Sequence, residues 1–312
     1  MIKIYFFITL LGTTFLCSSA RSQNPGNSLP HISVRNLGQN INSKETDFGA
    51  YEVSDGLSMF FVSRRKSSSS NPDNFWRVKR TSRDSAWSIP EFFTALNNGR
   101  SVGGMTMDDS GRIYFATNSG SSEINDMNIW EARIEGKTLN MNMLPKHVNT
   151  IKWESQPSVT SNGKDLYFAS NRAAYGRRTE VDIFVTHRNA DNNWSMPEEL
   201  GPQINLGSYN GTPFISPDGQ FLFFTSNGGS DSHHKIYMTA RTGAGDKDWS
   251  AATLLPSEIN SEEDDMFPMI ASDGKTIYFS SNRTGGFGDF DMYQAYLPPD
   301  IQAMIAKSFM KN

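Results

Sequence analysis

Residues 272–297 read SDGKTIYFSSNRTGGFGDFDMYQAYL. Ser272-Asp273-Gly274 is a turn signal, because glycine reaches the left-handed backbone conformation such turns use. Thr276 to Ser281 is β-branched and aromatic with alternating polarity, the pattern of a strand. Asn282 to Phe290 has the Asn, Gly and Asp content of a loop, and Asp291 to Leu297 reads as a second strand. The same order of turn, strand, loop and strand recurs at four other places. The other turns are Ser54-Asp55-Gly56, Asp109-Ser110-Gly111, Ser161-Asn162-Gly163 and Pro217-Asp218-Gly219, and the five glycines lie 52–56 residues apart. Their first strands are LSMFFVSRR, RIYFATNS, DLYFASNR and FLFFTSNG. Their second strands are FWRVKR, NIWEARI, DIFVTHR and KIYMTAR.

A third element follows four of these copies: WSIPEFFTALN, LNMNMLPKHVN, WSMPEELGPQIN and WSAATLLPSEIN. With the strand that must precede each glycine turn, the unit has four strands. The period-two alternation expects one buried face per strand. Four-stranded units repeated at a fixed period and stacked around an axis make a β-propeller. The chain runs out before the fifth copy reaches its last strand. Residues 31–42, HISVRNLGQNIN, match the LGPQIN ending of residues 200–205 and stand upstream of the first unit without a partner. Placed beside the last unit they complete it, which leaves no open edge. The expected fold is all-β: a five-bladed β-propeller of four-stranded blades, closed by the N-terminal strand.

SPDGQFLFFTSN at 216–227 and SDGKTIYFSSNRTGGFGDFDMY at 272–293 resemble the WD-repeat-like units of TolB-type propellers. Such units also occur in envelope proteins that join a propeller to an OmpA-like domain. The resemblance spans roughly residues 32–297 and implies a fold more than a function. No OmpA-like domain follows here. Residues 298–312 form a short tail in which Asp300 is a candidate N-cap and Ile301, Met304, Ile305 and Phe309 have helical spacing, which expects one helix packed on the outer propeller.

The chain has 312 residues, 37% hydrophobic and 20% charged, with a formal net charge of −4. That charge gives no overall basic field for nucleic acid, and the apolar content excludes a multi-span membrane protein. Lys3, the apolar run from Ile4 to Leu16 and the small residues Ser18 to Ala20 describe a signal peptide over residues 1–22. The propeller is then residues 23–297. Cys17 is the sole cysteine. Leu16 before it departs from the small residue that lipid attachment wants, so the reading favours plain export to periplasm, outer membrane or medium, without a lipid anchor at Cys17 and without a transmembrane span. Loss of Cys17 on cleavage leaves no disulfide, Cys-rich metal site or cysteine nucleophile.

In a propeller the loops between the two middle strands share one face with the blade-to-blade loops, while the glycine turns lie opposite. The loop-rich face is the expected functional surface. Nine residues before each turn glycine stand Asp47, Val102, Glu154, Asn210 and Asp265, at the start of each innermost strand. A ring of carboxylates there could hold Ca²⁺, accept hydrogen bonds from sugars or cap a cationic peptide. The bland reading is that each bonds the amides of its own turn. Arg172, Arg177, Arg178, His233, His234 and Arg283 add binding candidates on the same face. A second register, Asn74, Asn128, Asp182, Lys235 and Asp291, suits loop-closing bonds. Trp87, Trp194 and Trp249, in register, read as packing residues. His233-His234 is no metal pair, since neighbours in a strand point apart. No Gly-x-Ser-x-Gly or His-Glu-x-x-His motif is present. The expected function is a monomeric, non-enzymatic binding or scaffold propeller for an envelope protein or polysaccharide, with no obligatory cofactor. The alternative is a carbohydrate-active enzyme using Asp47, Glu154 and Asp265.

Overall fold

A computed structural model describes residues 32–67, 71–97, 100–118, 127–136, 138–172, 181–228 and 233–310. The expected signal peptide, Cys17, Arg177 and Arg178 lie outside the described residues. After β1 (Arg35–Asn36), blade one comprises β2 (Asp47–Glu52), β3 (Ser58–Ser63), β4 (Asn74–Lys79) and β5 (Glu91–Phe92). Blade two comprises β6 (Val102–Met107), β7 (Ile113–Asn118), β8 (Met127–Glu135) and β9 (Thr138–Met143). Blade three follows as β10 (Glu154–Val159), β11 (Asp165–Ser170), β12 (Asp182–His187) and β13 (Glu198–Glu199). Blade four is β14 (Asn210–Ile215), β15 (Phe221–Ser226), β16 (Lys235–Ala240) and β17 (Thr253–Leu254). Blade five is β18 (Asp265–Ile270), β19 (Thr276–Ser281) and β20 (Asp291–Tyr296), with β1 as its fourth strand. All pairings within the blades are antiparallel, so the fold is a five-bladed β-propeller.

The five turn glycines are the reason each first hairpin closes. Gly56, Gly111, Gly163, Gly219 and Gly274 all have φ between 64° and 77°, a region that a Cβ disfavours. The strands after the turns, β3, β11, β15 and β19, are buried at every residue beyond the first, on both faces. One buried face per strand was expected. Both are covered because each blade is sandwiched between two others.

The apolar core is accordingly divided into five inter-blade layers. One of them joins Phe60, Val62 and Phe75 of blade one to Ile113, Phe115 and Ala132 of blade two. Another joins Tyr114 and Ile129 of blade two to Leu166, Phe168 and Phe184 of blade three. The outer tryptophans seal such layers: Trp194 packs edge-on to Tyr114 at 5.9 Å and Trp249 edge-on to Tyr167 at 6.2 Å, each reaching the preceding blade. Arg188 and Arg241 lie over those indoles at 4.5 and 4.4 Å, as Arg80 lies over Trp87 at 4.2 Å.

Closure repeats the geometry of the intact blades. Asn205 of the Ile-Asn ending accepts from the Ile183 amide at 2.9 Å, and Asn260 accepts from Ile236 at 2.7 Å. Asn42 does the same across the chain ends, accepting from the Met292 amide and donating to the Met292 carbonyl, both at 2.9 Å. Arg35 pairs with Gln294, and Asn36 with Tyr293.

The tail forms α1 (Pro299–Ile305) and a 3₁₀ turn over Ala306–Phe309. Asp300 is not its N-cap. Pro298 holds that position without a side-chain cap, and Asp300 sits in the first turn, where its charge suits the helix dipole. The helix does not lie on the outer rim. Ile301 and Ile305 are buried in the layer between blades four and five, and the Phe309 ring stacks on Phe214 of β14. The tail thus runs under the glycine-turn face to the central channel.

Candidate functional site

The loop-rich face is built from a repeated clasp. Asp47, Glu154, Asn210 and Asp265 each open an innermost strand and are all 0% exposed. Each turns back to the residues before it. Asp47 accepts from the Ser43 amide at 2.5 Å and hydroxyl at 2.7 Å. Glu154 does so from Thr150 at 2.9 and 2.7 Å, and Asp265 from Ser261 at 2.6 and 2.8 Å. Asn210 accepts from the Leu206 amide and the Ser226 hydroxyl, at 2.9 and 2.7 Å.

In three blades an arginine completes the clasp. Arg65 meets Asp47 at 2.7 Å, Arg172 meets Glu154 at 3.3 Å and Arg283 meets Asp265 at 2.5 Å. Each guanidinium also donates to carbonyls of the preceding connection: Arg65 to Ile41, Arg172 to His147 and Val148, Arg283 to Glu258 and Ile259. Each lies over two aromatic rings of its own blade at 5.0–5.2 Å. The expected carboxylate ring at the channel mouth is therefore not an open one. Its oxygens point into the blade walls, held by Ser, Thr and Arg. Val102 takes the fifth position in blade two, 3% exposed.

His233 and His234 lie just ahead of β16 and do not point apart, because the strand begins only at Lys235. Their Nδ1 atoms stand 3.8 and 2.9 Å from the same Asp264 oxygen. Among the described residues, no group of three or more His, Cys, Asp or Glu side chains has an arrangement that could hold a metal ion. The second register closes loops: Asn74 donates to Asn71 O at 2.7 Å, Asp291 accepts from Phe287 and Gly288 amides at 2.6 and 3.1 Å, and Lys235 donates to Ser261 and Glu263 carbonyls at 2.6 and 2.7 Å.

The channel is narrow at its waist. Every innermost strand carries a bulge, at its third and fourth residues in blades one, three, four and five and at Gly103 and Gly104 in blade two. The third residues Gly49, Gln156, Thr212 and Phe267 have φ of 68°, 56°, 47° and 55°. For β-branched Thr212 this is sterically costly, on the order of 1–3 kcal/mol. Bonds between neighbouring strands hold it: the Thr212 amide donates to Gln156 Oε1 at 2.8 Å, and the Phe267 amide to Thr212 Oγ1 at 3.3 Å. Pro157, Pro213 and Pro268 follow three of these residues, where a ladder N–H is dispensable. Phe48 and Phe267 meet at 5.0 Å, and the waist encloses only about 40 Å³.

Below the waist the channel widens to a cavity of about 790 Å³ at the glycine-turn end. Every blade contributes the end of its innermost strand, and the tail adds Lys307 to Met310. Met107, Phe214, Met269 and Phe309 give an apolar wall. Arg83, Asp109, Asp218 and Lys307 set charges of both signs at the rim. Glu52 lies in the wall but is engaged, accepting from the Ser272 amide and hydroxyl at 3.1 and 2.9 Å and pairing with Arg80 at 2.9 Å. Burial pushes the Tyr51 hydroxyl well above its ordinary range, so it stays a neutral donor, bonded to Met107 O at 2.9 Å. Sequence reasoning placed binding on the other face. Nothing periodic marks this cavity, because it depends on where the tail folds back.

No protein-family model matches the chain, and no curated protein matches it in sequence. Solved structures do resemble it in shape. The structure is similar to a luciferin-regenerating enzyme, with 10% identity and a TM-score of 0.49 over 85% of this chain and 95% of that one. It is similar to a GH43 endo-arabinanase from Bacillus licheniformis, with 12% identity and a TM-score of 0.49 over 81% and 95%. It is also similar to TolB from Acinetobacter baumannii, with 14% identity and a TM-score of 0.48 over 83% of this chain and 56% of that one. These likenesses concern the fold alone, and the propeller rests on its own strand pairing. Among the described residues, no helix is long and apolar enough to cross a membrane.

Proposed function

We propose that the protein is an exported, non-catalytic binding propeller that holds a segment of a partner protein in the glycine-turn end of its channel. The observation that carries this reading is the cavity lined from all five blades and the tail. Its apolar wall and mixed-sign rim match a peptide, whose side chains bring both. A sugar would want free aromatic faces, and here Phe214 and Phe309 stack on each other. The enzymatic alternative asks for two carboxylates facing a shared substrate, about 5–9.5 Å apart. Asp47, Glu154 and Asp265 are instead spent on the clasps.

Residues 23–312 carrying a photo-crosslinking side chain at Ser161, on the glycine-turn rim, should capture a protein from an envelope extract. The same probe at Arg64, on the loop-rich face, should not, and Asp218→Lys with Asp109→Lys should reduce the capture several-fold. Capture only from Arg64, or polysaccharide cleavage abolished by Glu154→Gln, would replace this reading with a loop-face binder or a hydrolase.

A further inference from the structure

Blade two ends unlike the other four. The outermost strands β1, β5, β13 and β17 each contribute two paired residues, whereas β9 runs for six and is paired along its whole length, from Thr138 against Glu135 to Met143 against Trp130. An outermost strand presents its second row of backbone N–H and C=O groups to solvent, which invites another strand. Three of the short outermost strands are guarded. Glu91 follows Pro90, Glu198 and Glu199 follow Pro197, and Arg35 stands in β1. The β9 sequence, Thr-Leu-Asn-Met-Asn-Met, contains neither proline nor charge.

Its two faces are sorted. Residues opposite one another in the ladder share a face, so Leu139, Met141 and Met143 align with Ile134, Ala132 and Trp130, while Asn140 and Asn142 align with Arg133 and Glu131. The apolar row is left uncovered at its margin: Met143 is 47% exposed and Ile134 42%.

We propose that β9 pairs with β9 of a second copy of this chain, antiparallel, about a two-fold axis at Met141. Such an axis must pass through a residue, because opposed residues have to share a face. Centred on Met141, the pairing sets Leu139 against Met143 of the second copy and Asn140 against its Asn142. The apolar row then continues across the junction. On the other face, Arg133 of one copy lies in the same cross-strand row as Glu131 of the second copy, so the row ends in opposite charges. Centring on Asn140 would leave Met143 without an opposing residue in the second copy's β9, which begins at Thr138. One strand pair buries less than the roughly 1,000 Å² of a stable interface, so the association is weak and concentration-dependent. It leaves both ends of the channel free and does not depend on what the cavity binds.

Sedimentation of residues 23–312, which include the whole propeller unit, tests this. The expected result is a monomer near ~1 µM and a two-fold rise in mass toward ~500 µM, the range of a weak contact. Those residues contain no cysteine. Met141→Cys should give an intermolecular disulfide under mild oxidation, since directly opposed strand residues lie ~4.5–5.5 Å apart between Cα atoms, within disulfide reach. Asn140→Cys should not, because it faces Asn142 of the second copy. Asn140→Lys together with Asn142→Lys, both on exposed positions, sets lysines directly opposite one another across the junction and should abolish the dimer with an unchanged circular dichroism spectrum. A monomer at every concentration, equal crosslinking from positions 140 and 141, or a dimer indifferent to this double change would overturn the proposal. So would an extended segment of another protein seated on β9 of a chain that stays monomeric.

Discussion

Asp265 and Arg283 can be judged against their own repeats. An acid opens the innermost strand in blades one, three and five, and in each of these an arginine stands 18 residues later. Blade four has Asn210 and Gly228 instead, and blade two has Val102 with no arginine in residues 118–122. Charge appears as a pair or not at all, as expected when neither member tolerates burial alone. This signal was legible in the sequence. Counting back from the glycines found the acids, but only comparison across blades shows that each belongs to an arginine rather than to a ligand. Asp265→Asn, which leaves Arg283 facing a neutral amide, should cost about 3 kcal/mol, as should Arg283→Gly. The double change reproduces the pair of blade four, so its cost should fall short of the sum by ~1–3 kcal/mol. Urea unfolding of the four chains measures this, and simple additivity would mean the clasp is not a coupled unit.

At the scale of elements, the glycine turns and the aromatic strands after them were legible because each blade repeats one local code. The Asn ending of residues 31–42 disclosed the closure for the same reason: the same side-chain bonds are made by Asn205, Asn260 and Asn42. The waist bulges left a weaker trace, prolines in the middle of three innermost strands, and the cavity left none. One polar bridge between blades three and four was likewise hidden, since it is made by a single histidine without a repeat. His187, at the end of β12, meets Asp165 at 2.8 Å and Asp246 of the next blade at 2.9 Å. A carboxylate at each ring nitrogen favours the imidazolium. The hydrogen bond to Asp165 is the main cause that raises its pKa to about 9, against a smaller opposing effect of burial. The folded chain therefore holds this proton more tightly than the unfolded chain does. The resulting stabilisation is complete below about pH 6.5 and is lost as pH rises through about 9. His187 is 38% exposed, so solvent screening keeps the effect to about 0.2–1 kcal/mol. NMR titration should find the raised pKa in the native chain and a lower one in Asp246→Asn. The melting temperature of the native chain should fall more than that of the variant between pH 6 and pH 9.5.

For the whole molecule, the division of the core decides how it comes apart. Apolar side chains are buried between blades, so a blade removed from the ring loses the partners on both its faces. Units that cannot bury their own surface depend on their neighbours. In an open solenoid the ends can fray separately, but the strand pairing of β1 with β20 makes the ring endless. Damage in one layer should therefore be felt in all. Phe168 is 0% exposed in the layer between blades two and three. Phe168→Ala should cost about 3–5 kcal/mol through lost burial and the cavity left behind. Hydrogen exchange resolved by peptide reads each blade separately. The expected outcome is a similar fall in protection for the β3, β15 and β19 strands, which lie in blades one, four and five and do not touch the changed side chain's layer. A loss confined to blades two and three would mean that the layers open one at a time, and that the closure strand holds the chain ends together without making the five blades a single cooperative unit.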